Sequence, residues 1–339
     1  MSKPLLLRCV GGLAGLVFAV GAGMLPAAQA QTQSQPGGEA FPNRPVKLIV
    51  AFAPGTGGDA LARIVANAMG PLLGQPVIVD NRSGAGGVMG TEQGAHAPAD
   101  GYTLTLGTTS TLLTNPALNP KLRYRVDKDF TPVAGLARTA FVLVTANTPE
   151  APRALADLRQ RLAGTKGGSF GSAGVGTVGH LATEYFLRQT GSSAVHVPYR
   201  GSGAALTDVA GGQLLFSCDT IVAALPLVRA GRLRVLAVTS AERTDALSGA
   251  PTAAEAGIPF MKLSAWWGLV APAGTPPAVV ARLSDAATRA LAMPEVQSQL
   301  ASQVMEPMPL DAAAFGQLIR TELPFWTDFV RQTGIRVES

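Results

Sequence analysis

The sequence predicts an α/β fold built as two lobes, each a sheet flanked by helices, and three observations support this. A length of 339 residues is long for one core and suits two α/β domains. Strand-like and helix-like patterns alternate along the chain, and the alternation restarts near residue 141. Near residue 260 the pattern changes to one strand followed by long helices, which we expect to cover the first sheet. The chain is therefore predicted to cross between the lobes twice, near 138–142 and near 258–266.

These crossings divide the chain into discontinuous lobes. We expect lobe 1 to comprise 41–140 and 261–339, and lobe 2 to comprise 141–260. In lobe 1, Val46–Phe52 has the pattern of a buried strand, and apolar residues recur at helical spacing from Asp59 to Leu73, with Asp59 placed as the N-cap. Lobe 2 has five strand patterns, and a helix pattern follows each of the first three. The strand patterns lie at Phe141–Thr145, Ser169–Ser172, Ala194–Val197, Leu214–Cys218 and Val235–Val238.

The composition narrows the class of protein. Hydrophobic residues make up 47% of the chain and charged residues only 14%, which suits a large core and excludes a disordered chain. The formal charge is +5 and the pI about 9.5, but the Lys and Arg residues are scattered without a basic run. A nucleic-acid partner is therefore not expected. The excess positive charge indicates at most a general preference for anionic ligands.

The N-terminus has the layout of a secretory signal peptide. Lys3 and Arg8 precede an apolar run from Val10 to Leu25, which is short for a bilayer span. The small residues of Ala28-Gln29-Ala30 predict cleavage after Ala30, and an uncleaved membrane anchor is the alternative. Residues 1–30 are thus the predicted signal peptide and 31–40 a flexible lead-in, which places the mature protein in the periplasm. Cleavage would remove Cys9 and leave Cys218 as the single cysteine of the mature chain. An internal disulfide is then excluded, and we expect the Cys218 thiol to be buried.

Two glycine-rich loops could hold an anion. Each of the loops Ala53–Asp59 and Gly171–Thr177 follows a predicted strand and opens a helix. The first N–H groups of a helix are unpaired and lie at the positive end of its dipole, which suits a carboxylate. One loop comes from each lobe, at the carboxyl ends of the strands, where open α/β folds bind ligands. The alternative is that both loops are ordinary connectors.

Other polar residues near these strand ends have two interpretations each. The hydroxyl groups around Thr109 and Ser110 could bind a ligand oxygen or only cap a turn. His180 could contact the ligand or be a surface or core histidine. Asp219 could accept a hydrogen bond from a ligand hydroxyl or amine, or cap the helix that follows it. Aromatic residues near the expected cleft could set specificity or belong to the core; they are Phe52, Trp266 and Trp267.

Three catalytic or metal patterns are disfavoured. Gly174–Gly179 matches the dinucleotide motif G-x-G-x-x-G, but no acidic residue follows about 20 positions on. Gly167–Gly171 matches the nucleophile-elbow motif G-x-S-x-G, but its serine begins a strand instead of ending one. The three histidines form no i,i+4 pair and no cluster with cysteine. We therefore expect no catalytic residue, no cofactor and no metal, with a secreted hydrolase kept as an alternative.

Segments along the whole expected mature chain resemble the Bug family, the extracytoplasmic receptors of tripartite tricarboxylate transporters. The resemblance implies a type II periplasmic-binding-protein-like fold whose two lobes close on a carboxylate, gripped by the two glycine-rich loops. The segments that carry it are Phe41–Val46, Pro54–Asp59, Val79–Gly87, Asp100–Leu104, Gly171–Gly174, His196–Tyr199, Leu236–Ser240 and Ala271–Pro277.

The resemblance also implies ligand-facing positions and partners. It places Thr56, Gly57, Gly58 and Asp59 on one side of the ligand, and Ser172, Gly176 and Thr177 on the other, with Asp219 nearby. Thr56, Gly58 and Thr220 depart from the residues common in the family, so the resemblance leaves the identity of the carboxylate open. It implies a monomeric receptor that serves the membrane permease subunits of a tripartite transporter. The alternative partner is a membrane signalling protein.

Overall fold

The computed structural model describes residues 41–163, 168–247 and 249–335. The predicted signal peptide, 1–30, and the predicted lead-in, 31–40, lie outside the described residues. The first part of the chain alternates strands and helices, and its three strands pair in parallel with β1 in the centre. Its elements are β1 (Val46–Val50), α1 (Gly57–Leu73), β2 (Val77–Asn81), α2 (Val88–Ala95), β3 (Thr103–Thr108), α3 (Asn115–Leu118) and α4 (Val126–Asp129).

A single long strand then joins two sheets. β4 (Phe130–Ala146) pairs antiparallel with β9 over 130–140 and with β7 and β8 over 141–146. The elements that follow it are α5 (Leu155–Ala163), β5 (Ser169–Ser172), α6 (Val178–Thr190), β6 (Val195–Pro198), α7 (Ser202–Ala210), β7 (Phe216–Thr220), α8 (Ile221–Arg229) and β8 (Leu233–Val238).

The C-terminal part returns to the first sheet. β9 (Ser264–Pro272) inserts between β3 and β4, so the strand order is β2-β1-β3-β9-β4-β7-β5-β6, with β8 and β10 also paired to β4. Helices α9 and α11 pack on the first sheet, and α11 also contacts α6 beside the second. The last elements are β9, α9 (Pro277–Leu291), α10 (Pro294–Ser302), β10 (Glu306–Pro307) and α11 (Ala312–Thr333).

Apolar side chains from both sheets are buried in three clusters. One lies between β1 and helices α1 and α9 and includes Leu48 and Leu283. A second lies between the far end of β4 and helices α7 and α8. The third joins Phe170 and Phe216 of the second sheet to Phe315 and Trp326 of α11. The parallel strands are almost continuously apolar, as expected for a sheet covered on both faces.

Two expectations about local structure were wrong. The N-cap of α1 is Thr56, not Asp59: the Thr56 hydroxyl accepts the Asp59 N–H, and Asp59 lies within the first turn. The strand expected at Phe141–Thr145 begins eleven residues earlier, at Phe130, where Pro132 and two register shifts interrupt its alternation. Bulges of this kind change which face a side chain occupies, so the period-two pattern is lost in the sequence.

Candidate binding site

A cavity lies where the carboxyl ends of β1, β3, β5 and β7 meet. Its volume is about 70 Å³, several times the ~10–15 Å³ that one water molecule needs. Both glycine-rich loops and the loop after β3 contribute to its wall. The residues that line it are Phe52, Thr56, Gly57, Gly58, Thr108, Thr109, Ser110, Phe141, Ala173, Thr177, Val178, Gly179, Ser202, Asp219, Thr220, Ala265 and Trp267.

The first loop places the start of helix α1 at the cavity wall. Gly57 and Gly58 are the first two residues of α1, and their amides have no acceptor among the described residues. Asp59 lies just behind them: its carboxylate accepts from the Gly55 N–H, from Arg63 and from Asn81. Burial alone would raise the pKa of Asp59, but these hydrogen bonds hold it below its ordinary value. The Asp59 carboxylate is therefore paired with Arg63, and it stabilises the first loop through the Gly55 N–H.

The second loop folds around its own hydroxyl groups. The Ser172 hydroxyl accepts the Gly174 N–H at 3.1 Å, and the Thr177 hydroxyl donates to the Gly174 carbonyl at 2.8 Å. Thr177 is the N-cap of α6. Gly179, the second residue of α6, lines the cavity, and its N–H has no acceptor among the described residues. The N-termini of α1 and α6 thus both line the cavity.

Two stacked histidines support this second loop from behind. The rings of His180 and His196 lie 3.8 Å apart, and Phe170 stacks on His196. His180 Nδ1 accepts the Gly176 N–H at 3.2 Å, and His196 Nε2 lies 2.7 Å from the Ser172 hydroxyl. Burial lowers the pKa of His180 to about 3, helped by the charge of His196, and burial lowers the pKa of His196 to about 4. Both rings are therefore neutral and act as hydrogen-bond partners of the loop.

Direct hydrogen bonds close the cleft between the first and second sheets. The Ser110 hydroxyl, beyond β3, accepts the Val178 N–H of α6 at 3.2 Å. The Thr114 hydroxyl donates to the Gly176 carbonyl at 2.7 Å. Both bonds join segments that belong to different sheets. They describe a closed arrangement in which the π-helical turn after β3, Ser110–Thr114, binds the second glycine-rich loop and the start of α6.

Asp219 is the acidic residue of the cavity wall. It lies inside β7, not at its end, and only 6% of its surface is exposed. The helix after it is capped by Thr220, whose hydroxyl accepts the Ala223 N–H. Burial raises the pKa of Asp219 to about 6, although hydrogen bonds from Ser202 and Thr220 oppose this. The Asp219 carboxyl group therefore does not cap helix α8, and Asp219 lines the cavity.

The structure brings most of the predicted ligand residues to one cavity and places four outside its lining. Thr56, Gly57, Gly58, Thr109, Ser110, Thr177 and Asp219 line the cavity. Four lie behind it and hold the loops: Asp59, Ser172, Gly176 and His180. Together these eleven residues remain the predicted ligand-binding set.

Two of the three aromatic residues considered for specificity, Phe52 and Trp267, line the cavity, and the Trp267 indole N–H has no acceptor among the described residues. Trp266 instead donates to Glu322. Sequence reasoning missed other parts of the wall, among them Ser202 and Gly179. Ser202 is the first residue of α7, and Gly179 belongs to the rejected dinucleotide motif, so a search for helix N-termini alone would have found both. Cys218, next to Asp219, is fully buried, and burial raises the pKa of its thiol.

Two α/β lobes with helix N-termini around the cleft between them define the class of periplasmic solute-binding proteins. Residues 61–335 match the profile of the Tripartite tricarboxylate transporter family receptor. The chain belongs to this family, which confirms the resemblance noted in the sequence. Protein BugT of Bordetella pertussis is 35% identical over 301 residues, covering 88% of this chain and 92% of BugT.

Solved structures agree with this assignment. MatC from Rhodopseudomonas palustris with bound malate is 36% identical, with a TM-score of 0.81 over 86% of this chain and 100% of MatC. The R. palustris protein Rpa4515 with adipate is 34% identical, with a TM-score of 0.83 over 87% of this chain and 99% of that chain. The expected two-lobed α/β fold is confirmed by these similarities.

Two further findings concern the described residues alone. Across 41–163, 168–247 and 249–335, no three His, Cys, Asp or Glu side chains are grouped so as to hold a metal ion. Within the same ranges, every helix is too short or too polar to cross a bilayer.

Proposed function

We propose that this protein binds a small carboxylate reversibly, without chemistry, and delivers it to the membrane permease subunits of a tripartite transporter. One observation carries the proposal: Gly57, Gly58 and Gly179, whose N–H groups have no acceptor among the described residues, line one cavity at the N-termini of two helices. Such groups replace the water around a buried carboxylate with fixed dipoles. The ligands of two relatives, malate and adipate, fit this chemistry.

The proposal includes the division of the chain and its export. Lobe 1 is proposed to comprise 41–140 and 261–339, of which 336–339 lie outside the described residues, and lobe 2 to comprise 141–260. The strand pairing of β4 changes between residues 140 and 141, which supports this division. Cleavage after Ala30 would release the mature chain, as a monomer, into the periplasm. The two lobes would close on the ligand by turning about the connecting strands.

Thermal unfolding and calorimetry of the mature chain test the binding proposal. A panel of succinate, malate, adipate and citrate should include an acid that raises the unfolding temperature, because a ligand that binds the folded state stabilises it. Dimethyl succinate, which has the same skeleton without the charges, is the control and should have no effect. If the whole panel produced neither a stability shift nor heat, the proposed function would be wrong.

Two further experiments test whether the ligand is left chemically unchanged and which membrane protein receives it. Ligand recovered after long incubation should be unchanged by NMR, and a product would favour the hydrolase alternative. Uptake of the labelled acid by cells should be lost when the receptor is deleted and restored by the full-length chain, which includes the predicted signal peptide. Normal uptake combined with loss of a transcriptional response would favour the signalling partner instead.

A further inference from the structure

The cavity proposed to bind an anion is lined by an acidic side chain and by no basic one among the described residues. Among the described residues that line it, Asp219 is the only titratable side chain, and no Arg, Lys or His is present. The groups available to an anion are helix N-terminal amides, hydroxyl groups and the Trp267 indole. An ionised Asp219 would therefore repel a carboxylate in the same cavity with no cation to offset it.

The two oxygens of Asp219 have different surroundings. Oδ1 accepts three hydrogen bonds, from the Ser202 hydroxyl at 2.9 Å, the Thr220 N–H at 2.7 Å and the Thr220 hydroxyl at 3.4 Å. Oδ2 has no hydrogen-bond partner among the described residues. A proton on the carboxyl group thus belongs on Oδ2, because protonation of Oδ1 would cost its three acceptor contacts.

No neighbouring element supplies a charge to this carboxyl group within the described chain. The elements around β7 present Gly179 from α6, Ser202 from α7, Thr220 at the start of α8, and Phe141 from β4. The neighbouring Cys218 thiol on the same strand is buried, and burial and the charge of Asp219 raise its pKa. Burial without a counter-charge favours the neutral acid, in agreement with the pKa of about 6.

We propose that Asp219 binds the ligand in its protonated form, donating a hydrogen bond from Oδ2 to a carboxylate oxygen, so that capture of one anion takes up one proton. This inference rests on the proposed function of carboxylate binding. It makes Asp219 a donor, whereas the sequence suggested an acceptor for a ligand hydroxyl or amine. The ligand class is then a simple carboxylate that needs no hydroxyl or amino group.

The sign of the pH dependence follows from linkage. A bound anion raises the pKa of Asp219 further above its value in the free protein. Above that free value, binding takes up a proton, so affinity falls as the pH rises, by up to about tenfold per pH unit. Below it, Asp219 is already protonated and the affinity levels off.

Calorimetry of the mature chain with succinate and malate tests this, from about pH 5.5 to about pH 8.5 in buffers of different ionisation enthalpy. The wild-type chain should take up about one proton per ligand and lose affinity above about pH 6. Asp219→Asn supplies a neutral N–H donor, so it should bind with no proton uptake and little pH dependence. Asp285→Asn is the control: Asp285 is exposed and paired with Arg289, and this variant should behave as wild type.

Three results would overturn the inference. The first is wild-type binding without proton uptake, and the second is unchanged uptake in Asp219→Asn. The third is a strong preference for malate over succinate without proton uptake, because it would show an ionised Asp219 accepting from the ligand hydroxyl.

A failure of the proposed function can be told apart. If neither acid binds, the ¹³C NMR titration of the Asp219 carboxyl group in the free protein still decides the protonation. A midpoint near 6 supports a proton-carrying Asp219, and one near the ordinary value of 3.8 contradicts it.

Discussion

Gly58 lies inside the first turn of α1, where a side chain would meet the cavity wall. An added Cβ would lie 3.0 Å from the Trp267 indole nitrogen and 3.2 Å from Leu106. We predict that Gly58→Ala lowers ligand affinity about tenfold, equal to about 1.4 kcal/mol, because Trp267 must move toward the space the ligand needs. Calorimetry with the acid identified from the panel measures the effect.

A matched glycine separates this effect from helix propensity. Gly203 lies in α7, and a Cβ there would have no neighbour within 4 Å. Gly203→Ala should keep full affinity and gain about 0.4–1 kcal/mol of stability. Wild-type affinity in Gly58→Ala would show that the position of Trp267 does not control binding.

At the scale of single residues, the sequence located the loops better than it located the contacts. Glycines after a strand and before a helix are readable signals, and Gly57 and Gly58 do line the cavity. Ser172 and His180 were predicted with equal reason, yet their side chains bind the backbone of their own loop. A hydroxyl or imidazole group in such a loop can face the ligand or bind the backbone of the loop. Tertiary packing decides between these orientations, and the local sequence does not reveal that packing.

At the scale of elements, one hydrogen bond connects the turn after β3 to the second glycine-rich loop. Thr114 donates to the Gly176 carbonyl across the cleft, a contact that we expect only the closed form to make. We predict that Thr114→Val, which keeps the shape and removes the donor, weakens binding about tenfold and speeds ligand dissociation. Stopped-flow fluorescence of the tryptophans gives the dissociation rate.

Thr288→Val is the control for this substitution. The Thr288 hydroxyl donates to Ser284 within α9, away from the cleft. Its loss should change stability slightly and leave the dissociation rate unchanged. Equal dissociation rates for Thr114→Val and wild type would show that this contact does not hold the lobes closed.

The histidine pair joins α6 to β6 and should make the fold sensitive to acid. The pKa of His180 is about 3 and that of His196 about 4, both below the ordinary 6.5. Between about pH 6.5 and 4 the unfolded chain binds more protons than the folded one, so stability is full above 6.5 and falls as the pH drops. We predict a loss of up to about 1.4 kcal/mol per pH unit for each histidine.

Urea unfolding across this pH range measures the loss. His196→Gln should reduce the slope, because one buried imidazole is removed while a hydrogen-bonding side chain remains beside Ser172. His96→Gln, at the end of α2, is the control and should keep the wild-type slope. A flat wild-type profile would contradict the neutral, buried assignment of the pair.

At the scale of elements, prediction succeeded where the pattern was regular. The sequence predicted a helix directly after the loop Gly171–Thr177, and α6 begins there at Val178, because a capping hydroxyl on Thr177 and apolar spacing coincide. The first half of β4 was missed because Pro132, Gly135 and two register shifts break the alternation. Its pairing with β9 joins residues far apart in sequence, which no local pattern reveals.

At the scale of the whole molecule, the two-lobed architecture was readable because the βα series restarts near residue 141. The pairing partners of β4 change at the same place, from β9 to β7 and β8. The closed arrangement was not readable, because it depends on contacts such as Ser110 with Val178 that join loops distant in the chain. Domain closure is therefore the property that most needs a direct test.

A disulfide across the cleft provides that test. A Cβ at Gly201, before α7, would lie 3.1 Å from the Cβ of Ala53 in the first loop. A disulfide needs about 3.5–4.5 Å, so a small adjustment accommodates the pair. We predict that Ala53→Cys/Gly201→Cys, oxidised without ligand, admits no ligand, and that the same variant oxidised with ligand retains it through dialysis. Cys218 is buried and should not interfere.

Reduction of the same sample supplies the internal control, since breaking the disulfide should restore entry and release. The single variant Ala53→Cys under the same oxidant should bind as wild type. Free exchange of ligand in the fully oxidised double variant would show that entry does not require the lobes to separate at this point. The disulfide changes only positions 53 and 201, so Asp219 and the helix N-termini of the cavity stay as in the wild type. A difference in binding between the oxidised and reduced forms therefore reports on access to the cavity and not on the groups that line it.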